Sequence, residues 1–357
     1  MIALRQIFAF AICFIAADLT SGVLARAQTQ QEVPPLSTLW LPRHQQHPGA
    51  ATPLKSPAPQ PEPSLEVPSL KLRTQPGYEQ VTITVTDSSN RYVTDLKPED
   101  FRVFEANQQR PIVYTRIDRR APVSLGIIVD CSTSMASKLP VARAAIARML
   151  DDLDPSDEVF LEAFSARAKL LQPFTFDHRD ITYHLRDLQP VSWTALYDAI
   201  YSGLHETLRA RREKCVLLVV TDGIDTGSRI SRQRVIDTAR AMRVLIYTIG
   251  IGEQLVDREG GFFERLTRSD SDEVDMNILR TLSDETGALS FNLRRLEDGK
   301  ELSEDCEKIS RELREQYTIG YLAPDSGKHG YRPLRVEIPG HPELSVRVRK
   351  GLVGIPE

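Results

Sequence analysis

The sequence predicts an α/β domain with a mostly parallel sheet, set into a small all-β domain built from the chain on both sides of it. Three observations carry this expectation. Largely apolar runs such as "VSLGIIVD" and "CVLLVVTDG" are separated by helical patterns, the mark of parallel strands covered on both faces. The segments before and after that region alternate β-branched and polar residues, the period-two pattern of half-buried strands. Each flank is too short to fold alone, so the two are expected to pair with one another.

Residues 1–27 read as a secretory signal peptide. Arg5 supplies a short positive region, 7–17 is apolar, and Ala25-Arg26-Ala27 is a small-x-small cleavage site. The apolar run is shorter than the ~20 residues of a spanning helix, which favours cleavage over a retained anchor. No later stretch is long enough to span a membrane, so the processed chain is expected in the periplasm or outside the cell. Residues 28–76 form a Pro-rich linker: eleven of the chain's 23 prolines fall between Gln31 and Pro76. Segments such as "SPAPQPEP" favour polyproline II and build no core, which suits a semi-rigid, disordered spacer or a docking motif for a proline-binding partner.

Residues 77–120 are the first part of the β-domain. "VTITVTDSSNRYVTDL" predicts a hairpin turning at Asp87-Ser88-Ser89-Asn90, and "DFRVFEANQQRPIVYTRI" a strand, a polar turn and a further strand. Residues 121–315 alternate. A strand at 123–130 leads to a helix over 138–153, with Val141, Ala145, Met149 and Leu153 on one face. Strands follow at 158–164 and 168–172; the short "SAR" between them allows a hairpin, so the second is an antiparallel edge. Helices at 179–188 and 194–211 precede a strand ending in Asp222. Helix 232–243, strand 244–250, helix 275–285, strand 288–293 and helix 302–316 complete the series. Residues 316–352 return to β pattern in "YTIGYLA", "LRVEI" and "LSVRVR" and supply the second part of the β-domain.

Composition narrows the function classes. The chain has 357 residues, 26% charged and 41% hydrophobic, with a formal net charge of −4. No long basic run is present, which argues against nucleic acid as a partner. Loss of Arg5, Asp18 and Arg26 with the leader takes the charge from −4 to −5. Three cysteines remain after cleavage, Cys131, Cys215 and Cys306. Cys131 and Cys215 are expected at opposite ends of neighbouring strands, beyond the ~7 Å a disulfide can span. Three mostly buried thiols are the expectation.

In an open parallel sheet, sites form beyond the carboxyl ends of the strands. Asp130 ends the first apolar strand, and Ser132 and Ser134 follow at alternate positions, where an extended loop can point both hydroxyls the same way. Asp222 ends the second apolar strand. Oxygen-only ligands suit hard cations, and few ligands with room for water suit Mg2+. Two aspartates neutralise a divalent ion while hydroxyls add no charge, so such an ion retains attraction for one more anion. The site looks designed for completion by a partner's carboxylate.

These residues resemble a known family. "DCSTS" (Asp130 to Ser134) is similar to the D-x-S-x-S motif of the von Willebrand factor type A domain, "SWTALYDAI" to its threonine-bearing segment, and "TDGIDT" to its second aspartate motif. "LSDETGALSF" resembles its late helix-to-strand turn. The resemblance implies a Rossmann-like fold with one antiparallel edge strand and helices on both faces. It also implies metal ligation by the hydroxyls of Ser132, Ser134 and Thr194, with Asp130 and Asp222 acting directly or through water. The implied ion is Mg2+ or Mn2+, and its open position takes an Asp or Glu of a protein ligand. The flanks "DLKPEDFRVFE" and "QYTIGYLAP" are similar to an exported bacterial subfamily.

Other readings stay beside this one. Ser132 and Ser134 could cap the helix starting near Lys138, and Asp225 reads as a turn former rather than a ligand. The "RARR" run, Arg209 to Arg212, complements a helix dipole. His178 and His184 do not share a helical face, which argues against zinc. A metal-dependent hydrolase or phosphatase on the same sheet is the alternative function. A phosphatase of the haloacid dehalogenase type would need a second Asp where Ser132 stands. A serine hydrolase would need a G-x-S-x-G elbow, and a dinucleotide enzyme glycines at the first strand–helix turn; neither pattern is present. A non-enzymatic binding module for adhesion or envelope assembly is therefore expected. The loop 252–274 is long for a connection. It carries Asp257, Glu259, Glu264, Asp270, Asp272 and Glu273 around Phe262 and Phe263, and is expected to shape partner choice or to be a disordered acidic insertion.

Overall fold

The computed structural model describes residues 77–191, 193–254, 273–293, 300–323 and 330–354. The signal and spacer segments and most of the 252–274 loop lie outside the described residues.

The α/β part holds a six-stranded sheet. Its strands are β5 (Val123–Asp130), β6 (Glu158–Phe164), β7 (Ala168–Thr175), β8 (Lys214–Thr221), β9 (Leu245–Ile251) and β12 (Ser290–Leu293), in the order β12-β9-β8-β5-β6-β7. All neighbours are parallel except β6 and β7. The antiparallel edge is therefore where the short "SAR" connection requires it, and a separate two-stranded parallel sheet is formed by β10 (Glu253–Gln254) and β11 (Glu273–Val274). Every residue of β5 is buried. Alternate side chains serve opposite cores: Leu125, Ile127 and Val129 face one side, and Ile128 the other. Helices α1 (Leu139–Asp151), α2 (His178–Leu185) and α6 (Lys300–Glu315) cover the first face. Helices α3 (Leu196–Glu206), α4 (Arg232–Met242) and α5 (Met276–Thr286) cover the second.

Local chemistry sets several helix ends. Asp177 caps α2 by accepting from Arg179 N, Ser231 caps α4 by accepting from Arg234 N, and Asp275 caps α5 by accepting from Asn277 N and Ile278 N. Helix α5 stops at Gly287, whose φ of 84° only glycine adopts cheaply. A Cβ there would also lie 2.6 Å from Arg349 N, so glycine is required twice over. On α1 the buried face is Leu139, Ala142, Ala145, Ile146, Met149 and Leu150, and Val141 is only half-buried. Ala145, Met149 and Leu153 of the expected stripe are buried, and the stripe is wider than expected because the helix packs between the sheet and α6.

The two flanks combine as expected. One antiparallel sheet has the order β15-β1-β13-β4, with β1 (Tyr78–Thr86) and β4 (Ile112–Ile117) from the N-terminal side and β13 (Tyr317–Leu322) and β15 (Ser345–Val348) from the C-terminal side. The other has the order β16-β14-β2-β3, joining β2 (Arg102–Glu105) and β3 (Gln108–Arg110) to β14 (Tyr331–Glu337) and β16 (Gly351–Val353). Val81, Ile83, Val103, Tyr317, Ile319 and Val336 meet in the core between them. The expected hairpin at 87–90 shrinks to a turn and a single bridge, Thr86 to Tyr92. Both edges of β1 are taken by β13 and β15 instead, and β13 brings Tyr317, Ile319 and Tyr321 into the core.

A buried polar network joins the sandwich to the α/β part. Glu312 of α6, fully buried, accepts from Tyr247 OH at 2.6 Å and Tyr92 OH at 3.2 Å and pairs with Arg347 at 2.6 Å. Lys214 Nζ reaches Asp118 at 3.2 Å and the carbonyl of Leu313 at 2.7 Å. Cys131, Cys215 and Cys306 form no disulfide with one another.

Candidate functional site

Chain order places the site. From β5 the chain proceeds outward to β6 and β7, then returns to lay β8 on the other side of β5. The carboxyl ends of β5 and β8 thus flank the point where strand order reverses, where connections diverge and leave a crevice. Asp130 is the last residue of β5, and Asp222 immediately follows β8. Both are fully buried.

Four predicted residues form one hydrogen-bonded cluster. Asp130 Oδ1 accepts from Ser132 N at 2.7 Å, and Asp130 Oδ2 accepts from Thr221 Oγ1 at 2.6 Å. Ser132 Oγ and Ser134 Oγ are 3.0 Å apart, and Ser134 Oγ donates to Asp222 Oδ2. Asp222 Oδ1 in turn accepts from Ile224 N at 3.3 Å. The serines lie not in an extended loop but at the start of a single 3-10 turn, Thr133–Met135. That turn still brings their hydroxyls to one side. Neither caps a helix, since the cap of α1 is Lys138 and Ser132 makes no side-chain cap bond to the 3-10 turn.

Thr194 sits on the neighbouring loop, before α3 rather than within it, because the helix begins at Leu196. Its backbone is held from two directions. Thr226 N and Thr226 Oγ1 donate to Thr194 O at 2.9 and 3.1 Å, and Thr194 N donates to Thr226 Oγ1 at 3.0 Å. The next residue, Ala195, donates its N–H to Ser165 O at 2.8 Å. Val191 N donates to Cys131 O at 2.6 Å, which draws this loop across the Asp130 turn. Among the described residues, the Thr194 hydroxyl makes no hydrogen bond to the other four side chains.

Sequence reasoning missed the residues that tie these loops together. Thr221 orients Asp130 and also accepts from Gly223 N at 3.0 Å. Asp225 does form a local turn, accepting from Ser228 Oγ at 2.5 Å. It also accepts from Leu196 N, the first amide of α3, at 2.8 Å. Ser228 Oγ accepts from Tyr197 N and Asp198 N, and Asp198 accepts from Arg229 N and Ile230 N. A short-range signal existed in the Ser, Thr and Asp content of "TDGIDTGS", but its partner lies about 30 residues away in the chain, where no local pattern points.

The electrostatics are unbalanced. Burial first, and then the charge of Asp222, push the Asp130 carboxyl up to about 7, against the pull of the Thr221 and Ser132 hydrogen bonds. No lysine or arginine pairs with either aspartate among the described residues. Nor do three acidic, histidine or cysteine side chains converge there closely enough to hold a metal alone. The donor set is instead two carboxylates plus hydroxyls, oxygen only, with two negative charges when ionised. That chemistry fits a hard divalent cation. Around it, Trp193 exposes 68% of its surface with its backbone at a left-handed φ of 72°, and Val191 exposes 55%.

An uncharacterised protein of Borreliella burgdorferi is 25% identical over 189 residues, which are 48% of this chain and 54% of that protein. The chain thus spans about half the length of that relative. Among solved structures, a von Willebrand factor type A protein from Catenulispora acidiphila has a TM-score of 0.46 at 14% identity, covering 78% of this chain and 63% of its own. An aerotolerance-related membrane protein from Bacteroides fragilis has a TM-score of 0.43 at 17% identity, covering 54% and 98%. The family model of the von Willebrand factor type A domain matches residues 125–318, from the first strand of the α/β sheet into the returning sandwich strand, and the chain belongs to that family.

Proposed function

We propose that this protein is an exported, non-enzymatic binding module serving adhesion or envelope assembly. In this reading Asp130, Ser132, Ser134, Thr194 and Asp222 hold Mg2+ or Mn2+, and a partner protein contributes an Asp or Glu carboxylate. The single observation that carries it is the convergence of two buried carboxylates and two serine hydroxyls, with no lysine or arginine paired to either carboxylate among the described residues. Two buried like charges are costly, and a divalent cation removes that cost. The cation would supply a Lewis-acidic position for the partner's carboxylate. Asp130 and Asp222 would supply the compensating charge, and the three hydroxyls neutral oxygens. Thr221 and Thr226 would hold the two loops in register, with Trp193 beside the site as an aromatic anchor for the partner. The leader and Pro-rich spacer of the sequence support placement outside the cytoplasm, at a distance from whatever holds the chain.

Calorimetry of the processed chain with Mg2+ and Mn2+ tests the metal. Saturable 1:1 uptake that Asp222→Ala abolishes is expected, and no uptake by the wild type refutes the reading. Binding of Asp- and Glu-bearing peptides in Mg2+, lost in chelator or when the acid becomes an amide, tests the partner's chemistry.

A further inference from the structure

A second charged cavity lies at the opposite edge of the parallel sheet, where the amino ends of β8 and β9 meet the sandwich. It measures about 60 Å³ and is bounded by Arg116, Lys214, Arg240, Arg243 and Arg349, with Glu213 the acidic residue on its wall. Four of the cations have carboxylate partners. Lys214 and Arg116 share Asp118, Arg243 pairs with Glu79, and Arg240 pairs with Asp237 and Glu285.

Arg349 has none among the described residues. It is 6% exposed, and one of its terminal nitrogens donates to the carbonyl of Gln80 at 2.5 Å. Its Nε is buried without a hydrogen-bond partner, and so is the Nε of Arg240. Burial, and then Arg243 alongside, pull the Arg349 guanidinium down to about 10. Both side chains line the cavity, and Arg349 makes no ion pair among the described residues, with Glu79 and Glu105 acting on it only at longer range. Buried charges are retained when something pairs with them.

We infer that this cavity binds a small tetrahedral oxyanion of the phosphate or sulfate class. Guanidinium groups match such oxygens with parallel, charge-assisted hydrogen bonds. The donors come from several directions, from β4 and the chain after β15 on the sandwich side and from β8 and α4 on the other. A tetrahedral acceptor can serve them all, whereas a planar carboxylate with an organic tail cannot. The volume is about that of two waters, which suits a free ion rather than a phosphorylated molecule. Bound there, the anion joins the two parts of the structure. The inference is independent of the metal reading at the other edge.

The test uses the processed chain in chelator, so that the carboxyl-edge site takes no part. Titration with inorganic phosphate, and separately with sulfate, is followed by calorimetry and by thermal melting at ionic strength matched with chloride. A single saturable site at millimolar or lower concentration is expected, with a melting rise that chloride does not reproduce. General stabilisation by excluded salts does not saturate and so is told apart. Arg349→Gln, and Arg116→Gln at the half-exposed mouth, should each weaken binding by about tenfold or more, the loss of one charge-assisted bond. Should Arg349→Gln fail to fold, Arg116→Gln and the wild-type titration still decide. A phosphomonoester that binds as well as free phosphate overturns the free-ion assignment. Absence of saturable binding by the wild type, or undiminished binding in Arg116→Gln, overturns the site.

Discussion

Replacing Asp130 by Asn should make the metal-free protein more stable and the metal-loaded comparison unfavourable. Burial and Asp222 raise this carboxyl from 3.8 to about 7 in the folded chain. The folded state therefore holds the proton more tightly than the unfolded state does. Its stabilising contribution is complete below pH 3.8, falls as pH rises, and is gone above pH 7. The gap is worth about 4 kcal/mol in metal-free protein near pH 8. Asn keeps this position uncharged at every pH, leaving Asp222 as the site's one carboxylate. It can still accept from Ser132 N, but it forfeits one acceptor toward Thr221, at about 1 kcal/mol. The net gain is about 3 kcal/mol, or roughly 6–12 °C in Tm for a unit of this size. With Mg2+ at a hundred times its Kd the wild type gains about 2.7 kcal/mol and the variant none. Thermal melts in chelator and in Mg2+, between about pH 5 and pH 8, read both effects. A variant that melts at or below the wild type in chelator at pH 8 refutes the argument that buried, uncompensated charge defines this site.

Other consequences are as concrete. Glu162 is buried under α3 with Ser202 Oγ donating to Oε2 at 2.8 Å and Oε1 unpaired, and burial pushes its carboxyl up to about 7. Stability drawn from its proton is complete below pH 4.5 and lost through pH 7, so Glu162→Gln should stabilise the protein by about 3 kcal/mol at pH 8 and scarcely at pH 4.5, by denaturant titration. Equal effects at both pH values would contradict this. Trp193 is exposed and adjoins Thr194, so its fluorescence should report metal uptake. A saturable Mg2+-dependent emission change should survive Trp40→Phe and vanish in Trp193→Phe, and the reverse pattern would place the responding indole elsewhere.

Much of this structure was legible because its signals are local. Strand-terminal Asp130 and Asp222, the period-two flanks and the antiparallel edge after "SAR" each follow from a few neighbouring residues. The boundaries that slipped did so for tertiary reasons. The helix expected from Thr194 begins at Leu196, because the Thr226 latch and Ser165 O hold Thr194 and Ala195 in a loop. The hairpin expected after β1 gave way to pairing with strands more than 200 residues later.

By itself the chain determined which side chains could supply oxygen ligands, since residue type, spacing and the end of an apolar strand are one-dimensional properties. Only the tertiary structure decided that Thr221 orients Asp130, that Asp225 caps a helix from another loop, and that Arg349 is buried with no ion pair among the described residues. Those contacts join residues about 30 to 270 positions apart, and burial, which sets the cost of each charge, exists only once the layers have packed.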